Sequence, residues 1–146
     1  MKARVAFRYL WAAPCTVVGA VIGACLCGLG ASARRVDGVI EVAFADQRHP
    51  CARALLALPF AGITVGHVVL APTHACQAAL RQHERVHVAQ YECWGLLFFL
   101  LYPASSLLQL LRGRRPYLDN HFEVQARALE GRIESSCLPH PSPRAG

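Results

Sequence analysis

The chain has 146 residues and a formal net charge of +6, with 54% hydrophobic and only 16% charged residues. That length holds one domain with appendages and excludes a doubly wound dehydrogenase, a TIM barrel or a kinase core. Ordinary soluble domains run roughly 45–50% apolar and 25% charged, so this balance excludes a disordered or acidic solvating chain and points to membrane association.

The basic excess is arginine apart from Lys2, and the arginines are scattered, with no basic helix carrying interleaved aromatics. An anionic lipid surface is therefore the expected partner, and nucleic acid is not. Seven cysteines, at 15, 25, 27, 51, 76, 93 and 137, are odd in number and irregular in spacing. They read as free thiols, because neither a disulfide framework nor a zinc knuckle has this pattern.

Residues 1–35 form the first segment. Lys2, Arg4 and Arg8 precede an uncharged run from Tyr9 to Ala33 that Arg34 and Arg35 close. The run is long enough to span about 30 Å of hydrocarbon, and Tyr9 and Trp11 stand where an interfacial aromatic belt belongs. Ala31-Ser32-Ala33 fits the small-x-small pattern of a cleaved secretory signal. The apolar run exceeds the 7–15 residues of a signal, however, so a retained transmembrane helix is expected.

Residues 36–134 form the main domain. Asp37-Gly38 followed by Val39, Ile40 and Val42 predicts a strand after a turn. Asp46 to Arg53 reads as a polar loop around Pro50, and Leu55 to Leu58 stops at Pro59. Gly62 to Leu70 is β-branched and predicts one strand, with Gly66 marking a bulge, a turn or a close backbone approach. Thr73 is a candidate N-cap for a helix over His74 to Trp94, where Leu80, His83, His87, Tyr91 and Trp94 recur at steps of three and four. An uncharged insertion over 94–111 is interrupted by Pro103, and Arg112, Arg114 and Arg115 lie in a basic turn after it. Asp119 or Asn120 is expected to cap a last helix to about Glu134, and residues 135–146 read as a disordered Pro-rich tail.

His83-Glu84-Arg85-Val86-His87 is an H-E-x-x-H sequence. Residues i and i+4 on a helix lie one above the other, so both imidazoles reach one cation. Glu84 stands about 100° round the helix and reaches a water on that cation as a general base. With seven His and six Glu, composition alone produces the pattern roughly one time in a hundred. Zinc held by two imidazoles needs a third protein ligand. The last helix offers Glu123, about one turn inside it, or His121 nearer its start.

His83-Glu84-Arg85-Val86-His87-Val88-Ala89-Gln90 after Gly62 to Leu70, and Asp119-Asn120-His121-Phe122-Glu123 with Ala126, together resemble small gluzincin-like bacterial membrane proteins, which are minimal zincin metallopeptidase domains. The resemblance covers roughly residues 36–134. It implies an α+β zincin-like fold, Zn2+ on His83, His87 and Glu123, and Glu84 as the catalytic base. It also implies that the strand over Gly62 to Leu70 aligns a peptide substrate by strand addition. Thermolysin-type enzymes place an Asp four residues after the ligating Glu; here that residue is Arg127. For an oxyanion donor the candidates are Tyr91, Tyr117 and His67.

If residues 94–111 crossed the membrane, His87 and Glu123 would lie on opposite sides and could not share a metal. A pair of half-helices broken at Pro103, dipping into the membrane or covering the metal site, satisfies both constraints. The sequence thus reads as a membrane-anchored zinc metallopeptidase-like protein, in a bacterial inner membrane by resemblance, with a non-catalytic zinc-binding structural or assembly protein as the alternative.

Overall fold

Two glycine turns organise the sheet. Asp37-Gly38, with φ of 47° and 83°, joins β1 (Ser32–Val36) to β2 (Val39–Phe44). Gly66, at φ 62°, opens the two-residue turn between β3 (Ile63–Val65) and β4 (Val68–Thr73). Both match the hairpin turns whose twist suits paired strands. The expected single strand over Gly62 to Leu70 is therefore a hairpin, because glycine at positive φ reverses the chain. β1 was not foreseen either, since its arginines read as the flank of the apolar helix.

The two hairpins join through a parallel pairing of β2 with β4, giving a four-stranded sheet in the order β1-β2-β4-β3. The parallel connection carries α2 (Pro50–Leu56) where a polar loop was expected. Pro50 sits at the first helical position, where its missing N–H costs nothing, and His49 caps the helix by accepting from the Cys51 amide.

The structure is a computed structural model that describes residues 2–58 and 61–137. Pro59 and the tail beyond Cys137 lie outside the described residues. Helices complete the fold: α1 (Lys2–Gly28), α3 (His74–Trp94), a 3-10 turn (Gly95–Leu97), α4 (Phe98–Leu111) and α5 (His121–Cys137). The architecture is α+β, as expected. Two helical stretches, Ala6–Gly28 and His74–Leu111, are long and apolar enough to cross a membrane.

The sheet lies between α1 and α3. Val42, Val68 and Leu70 point to one face, where Leu26 and Cys27 of α1 pack. Val39 and Val69 point to the other, against Val88 of α3. Alternation along each strand makes this two-sided burial possible. α1 approaches through glycine. A Cβ on Gly19 or Gly23 would press on Val65, Val68 or Val42, and one on Gly66 would strike the Thr16 backbone.

α3 starts at Thr73, whose hydroxyl accepts from the Cys76 amide. It is tied to the sheet by Gln77, which donates to the Val69 carbonyl at 2.8 Å. A second tie is the fork from Arg81 to Glu41, with contacts of 2.8 and 3.0 Å. Gly95, at φ 54°, ends α3, and the expected break at Pro103 does not occur: α4 runs unbroken through it. The chain turns at glycine, so Pro103 is left inside a helix that has already started. Trp94, in the same three-and-four series as His83 and His87, is 45% exposed because the helix ends there.

Candidate metal centre

α3 and α5 carry the site. α5 is positioned at its first residue by Asn120, which is fully buried. Its Oδ1 accepts from the Phe122 amide, as an N-cap does, while its Nδ2 donates to the Tyr102 carbonyl and to Ser106 Oγ of α4. Ala126 is also fully buried. With only a methyl group there, α5 comes close enough for Glu123 to reach α3.

The structure brings together His83, His87 and Glu123, all buried. The two Nε2 atoms stand 3.2 Å apart, and Glu123 Oε2 and Oε1 lie 3.3 and 3.2 Å from His83 and His87 respectively. Zinc with bonds of about 2.0–2.1 Å in a tetrahedron separates its ligands by about 3.3–3.4 Å. The Nε2–Nε2 separation matches that edge, and each imidazole faces its own Glu123 oxygen at a similar distance. These three buried residues have the composition and spacing to hold a metal ion. The donor set suits zinc. His121, the other candidate ligand, is exposed and stacks edge-on against Phe122.

The outer nitrogens of both imidazoles are held. His87 Nδ1 lies 2.8 Å from Gln90 Oε1, and His83 Nδ1 lies 3.4 Å from Glu130 Oε2. Such partners fix the tautomer that leaves Nε2 free to ligate. Gln90 also donates to the Phe122 carbonyl and to Gln125 Oε1, so one amide links His87 of α3 to the backbone beside Glu123 of α5. Glu130, which faces His83 Nδ1, lies seven residues beyond Glu123. Arg127 faces Glu123 Oε2 at 3.8 Å.

Burial pushes the Glu123 carboxyl up, but hydrogen bonds from His83, His87 and Tyr102 outweigh it and hold the group well below the usual carboxylate range. The same bond to Glu123 raises His83 against the effect of its burial. Glu84 is pushed up by burial, partly offset by a 2.6 Å hydrogen bond donated by Thr64 Oγ1. It occupies space that Gly62 leaves open; a Cβ there would lie 2.6 Å from Glu84 Oε1.

A cleft of about 260 Å3 opens on these groups. β3 forms one wall, Phe98, Phe99, Tyr102 and Pro103 another, and Tyr117 stands at its side. Tyr102 donates to Glu123 Oε1 at 2.7 Å. Of the three oxyanion candidates, Tyr91 and Tyr117 line the cleft. Burial and the nearby Glu123 push the Tyr117 phenol up to about 12. His67 is elsewhere, between Thr16 of α1 and Glu92 of α3.

Sequence reasoning found the three donors and Glu84 but missed Gln90, Tyr102, Thr64, Gly62 and Glu130. Gln90 had a readable local signal, one helical turn beyond His87. Set against known family models, curated proteins and solved structures, the chain matches none of them.

Proposed function

We propose that this chain is a membrane-anchored, zinc-dependent peptidase of the zincin kind, hydrolysing a peptide bond with Glu84 as general base. The observation that carries the proposal is the His83–His87–Glu123 triangle, with donor separations of 3.2–3.3 Å beside a buried carboxylate. Zinc held by His83, His87 and Glu123 would supply a Lewis acid for the scissile carbonyl and an acidified water.

The chain's own residues do the rest. Glu84 takes the proton of the attacking water as the oxygen–carbon bond forms. It then delivers that proton to the amine as the carbon–nitrogen bond breaks. Thr64 keeps the Glu84 carboxylate oriented. In the β3–β4 hairpin the pair Val65–Val68 closes the turn, so the next pair, Thr64–Val69, is one whose peptide groups point away from each other. Thr64 therefore turns its amide and carbonyl to the free edge of the sheet, where an extended substrate backbone adds as a strand.

Membrane anchoring rests on α1. Its inner face is built into the domain by Ala12 and Cys15, both fully buried, and by the glycine contacts above. Cleavage after Ala33 would remove this wall, which supports a retained helix over a signal. One observation favours a non-catalytic zinc protein: Tyr102 is committed to Glu123, and among the described residues no imidazole other than His83 and His87 lines the cleft.

The test uses detergent-purified full-length protein as wild type, Glu84→Gln and Glu123→Ala, with elemental mass spectrometry and a quenched-peptide library. The wild type should hold about one zinc per chain and cut peptide, Glu84→Gln should keep zinc and lose cutting, and Glu123→Ala should lose zinc. Cutting that survives Glu84→Gln refutes the catalytic assignment. A zinc-loaded wild type that cuts nothing favours the structural reading.

A further inference from the structure

α4 is inside-out for a helix in water. Its inward stripe is polar: Tyr102 bonds Glu123, Ser105 accepts from the His121 amide, Ser106 accepts from Asn120, and Gln109 is buried. Its outward face is leucine, with Leu100, Leu107, Leu110 and Leu111 between 55% and 76% exposed. Water-facing helices have the opposite order. α1 repeats the inversion. Ala12, Cys15, Gly19 and Gly23 face the domain, while Leu10, Val17 and Val21 are at least 60% exposed. Two helices with small or polar residues inside and large apolar residues outside have hydrocarbon as their outer medium.

Length separates the two. α1 is long enough to cross. The 3-10 turn and α4, residues 95–111, reach about 25 Å at 1.5 Å per residue, short of the roughly 30 Å hydrocarbon core. This segment therefore enters the bilayer without crossing it, as its neighbours require, because α3 and α5 meet at one site. Arg112, Arg114 and Arg115, all exposed, follow at its end, where lipid phosphates are met. Phe99 and Pro103 belong both to the exposed surface of α4 and to the lining of the metal cleft.

We infer that α4 is inserted in lipid and that the metal cleft opens at the bilayer, so its substrates are polypeptide segments partitioned into the membrane. The last clause rests on the hydrolytic reading; the first two do not.

The experiment places p-benzoylphenylalanine at Leu107, Phe99 or Gln82 of the full chain in nanodiscs containing phosphatidylglycerol, irradiates, and reads intact mass. Gln82 is exposed on α3, on the other side of the sheet from α1. Phospholipid adducts at Leu107 and Phe99 should exceed those at Gln82 at least tenfold. Adducts to a second copy of the chain, or none above Gln82, overturn lipid insertion. An adduct at Leu107 without one at Phe99 overturns the bilayer-facing mouth. For the substrate clause, a quenched peptide with a palmitoyl tail should be cut with at least tenfold higher kcat/KM than the untailed peptide. Equal values overturn that clause, and absence of all cutting refutes the hydrolytic reading while the lipid adducts stand.

Discussion

Replacing Gln90 with leucine should weaken zinc binding far more than it disturbs the fold. The amide orientation follows from its neighbours. Nε2 faces two acceptors, the Phe122 carbonyl and Gln125 Oε1, so Oε1 must face His87 Nδ1. With zinc bound, His87 is thereby held with its proton on Nδ1 and its Nε2 lone pair free for the metal. In the metal-free variant the ring has an escape: it moves the proton to Nε2 and donates it to Glu123 Oε1, 3.2 Å away. Zinc forces the proton back to Nδ1, which then has no acceptor in a buried setting, and an unmade hydrogen bond of that kind costs about 1–3 kcal/mol. The penalty falls on the zinc-bound state alone. It corresponds to a loss of about 5–150-fold in affinity at 1.4 kcal/mol per tenfold, which brackets the 10–100-fold typical of such partners. Competition against a chromophoric chelator measures it, with circular dichroism confirming that the variant is folded. Zinc affinity within about threefold of wild type in a folded Gln90→Leu protein would refute this account of how the site is oriented.

Gly62→Ala places a methyl group against Glu84 Oε1, and the carboxylate cannot retreat freely because Thr64 holds its other oxygen. Zinc content should be unchanged while peptide cutting falls at least tenfold, by a modest misplacement of the base; normal cutting would show that Glu84 is not held where the proton is taken. The Glu41–Arg81 fork gives a pH prediction. Hydrogen bonding to Arg81 lowers the Glu41 carboxyl below the usual range. A depressed folded-state pKa contributes stability that is present above the unfolded value of about 4.3 and lost as pH falls through the folded value. Glu41→Gln should cost about 1.5–3 kcal/mol at neutral pH and flatten the acid limb of the thermal unfolding curve. An acid limb as steep as wild type would assign that limb to another carboxylate.

What the sequence made legible was set by how local each feature is. The H-E-x-x-H helix, its Thr73 cap, the Asn120 cap and Glu123 all follow from spacing along one helix, and the structure places them accordingly. β1 was hidden because Arg34 and Arg35, exposed on an edge strand, look the same in one dimension as the basic flank of a membrane helix. The supporting groups Tyr102 and Glu130 were hidden for another reason: each meets the site only because α4 and α5 fold back across α3.

The pattern of α4 did hold that information, read with the other sign. Tyr102, Ser105, Ser106 and Gln109 recur at three and four residues, an amphipathic period in which the polar stripe is the minority. Taken as an interruption of a span, the stripe argues against a membrane helix. Taken as the packed face of a helix whose solvent is lipid, it argues for one and identifies what it packs against: Asn120, His121 and Glu123, the start of the ligand helix. Three of the four, Tyr102, Ser105 and Ser106, bond the start of the helix that carries Glu123, so in the proposed reading the membrane association and the metal centre have one structural cause.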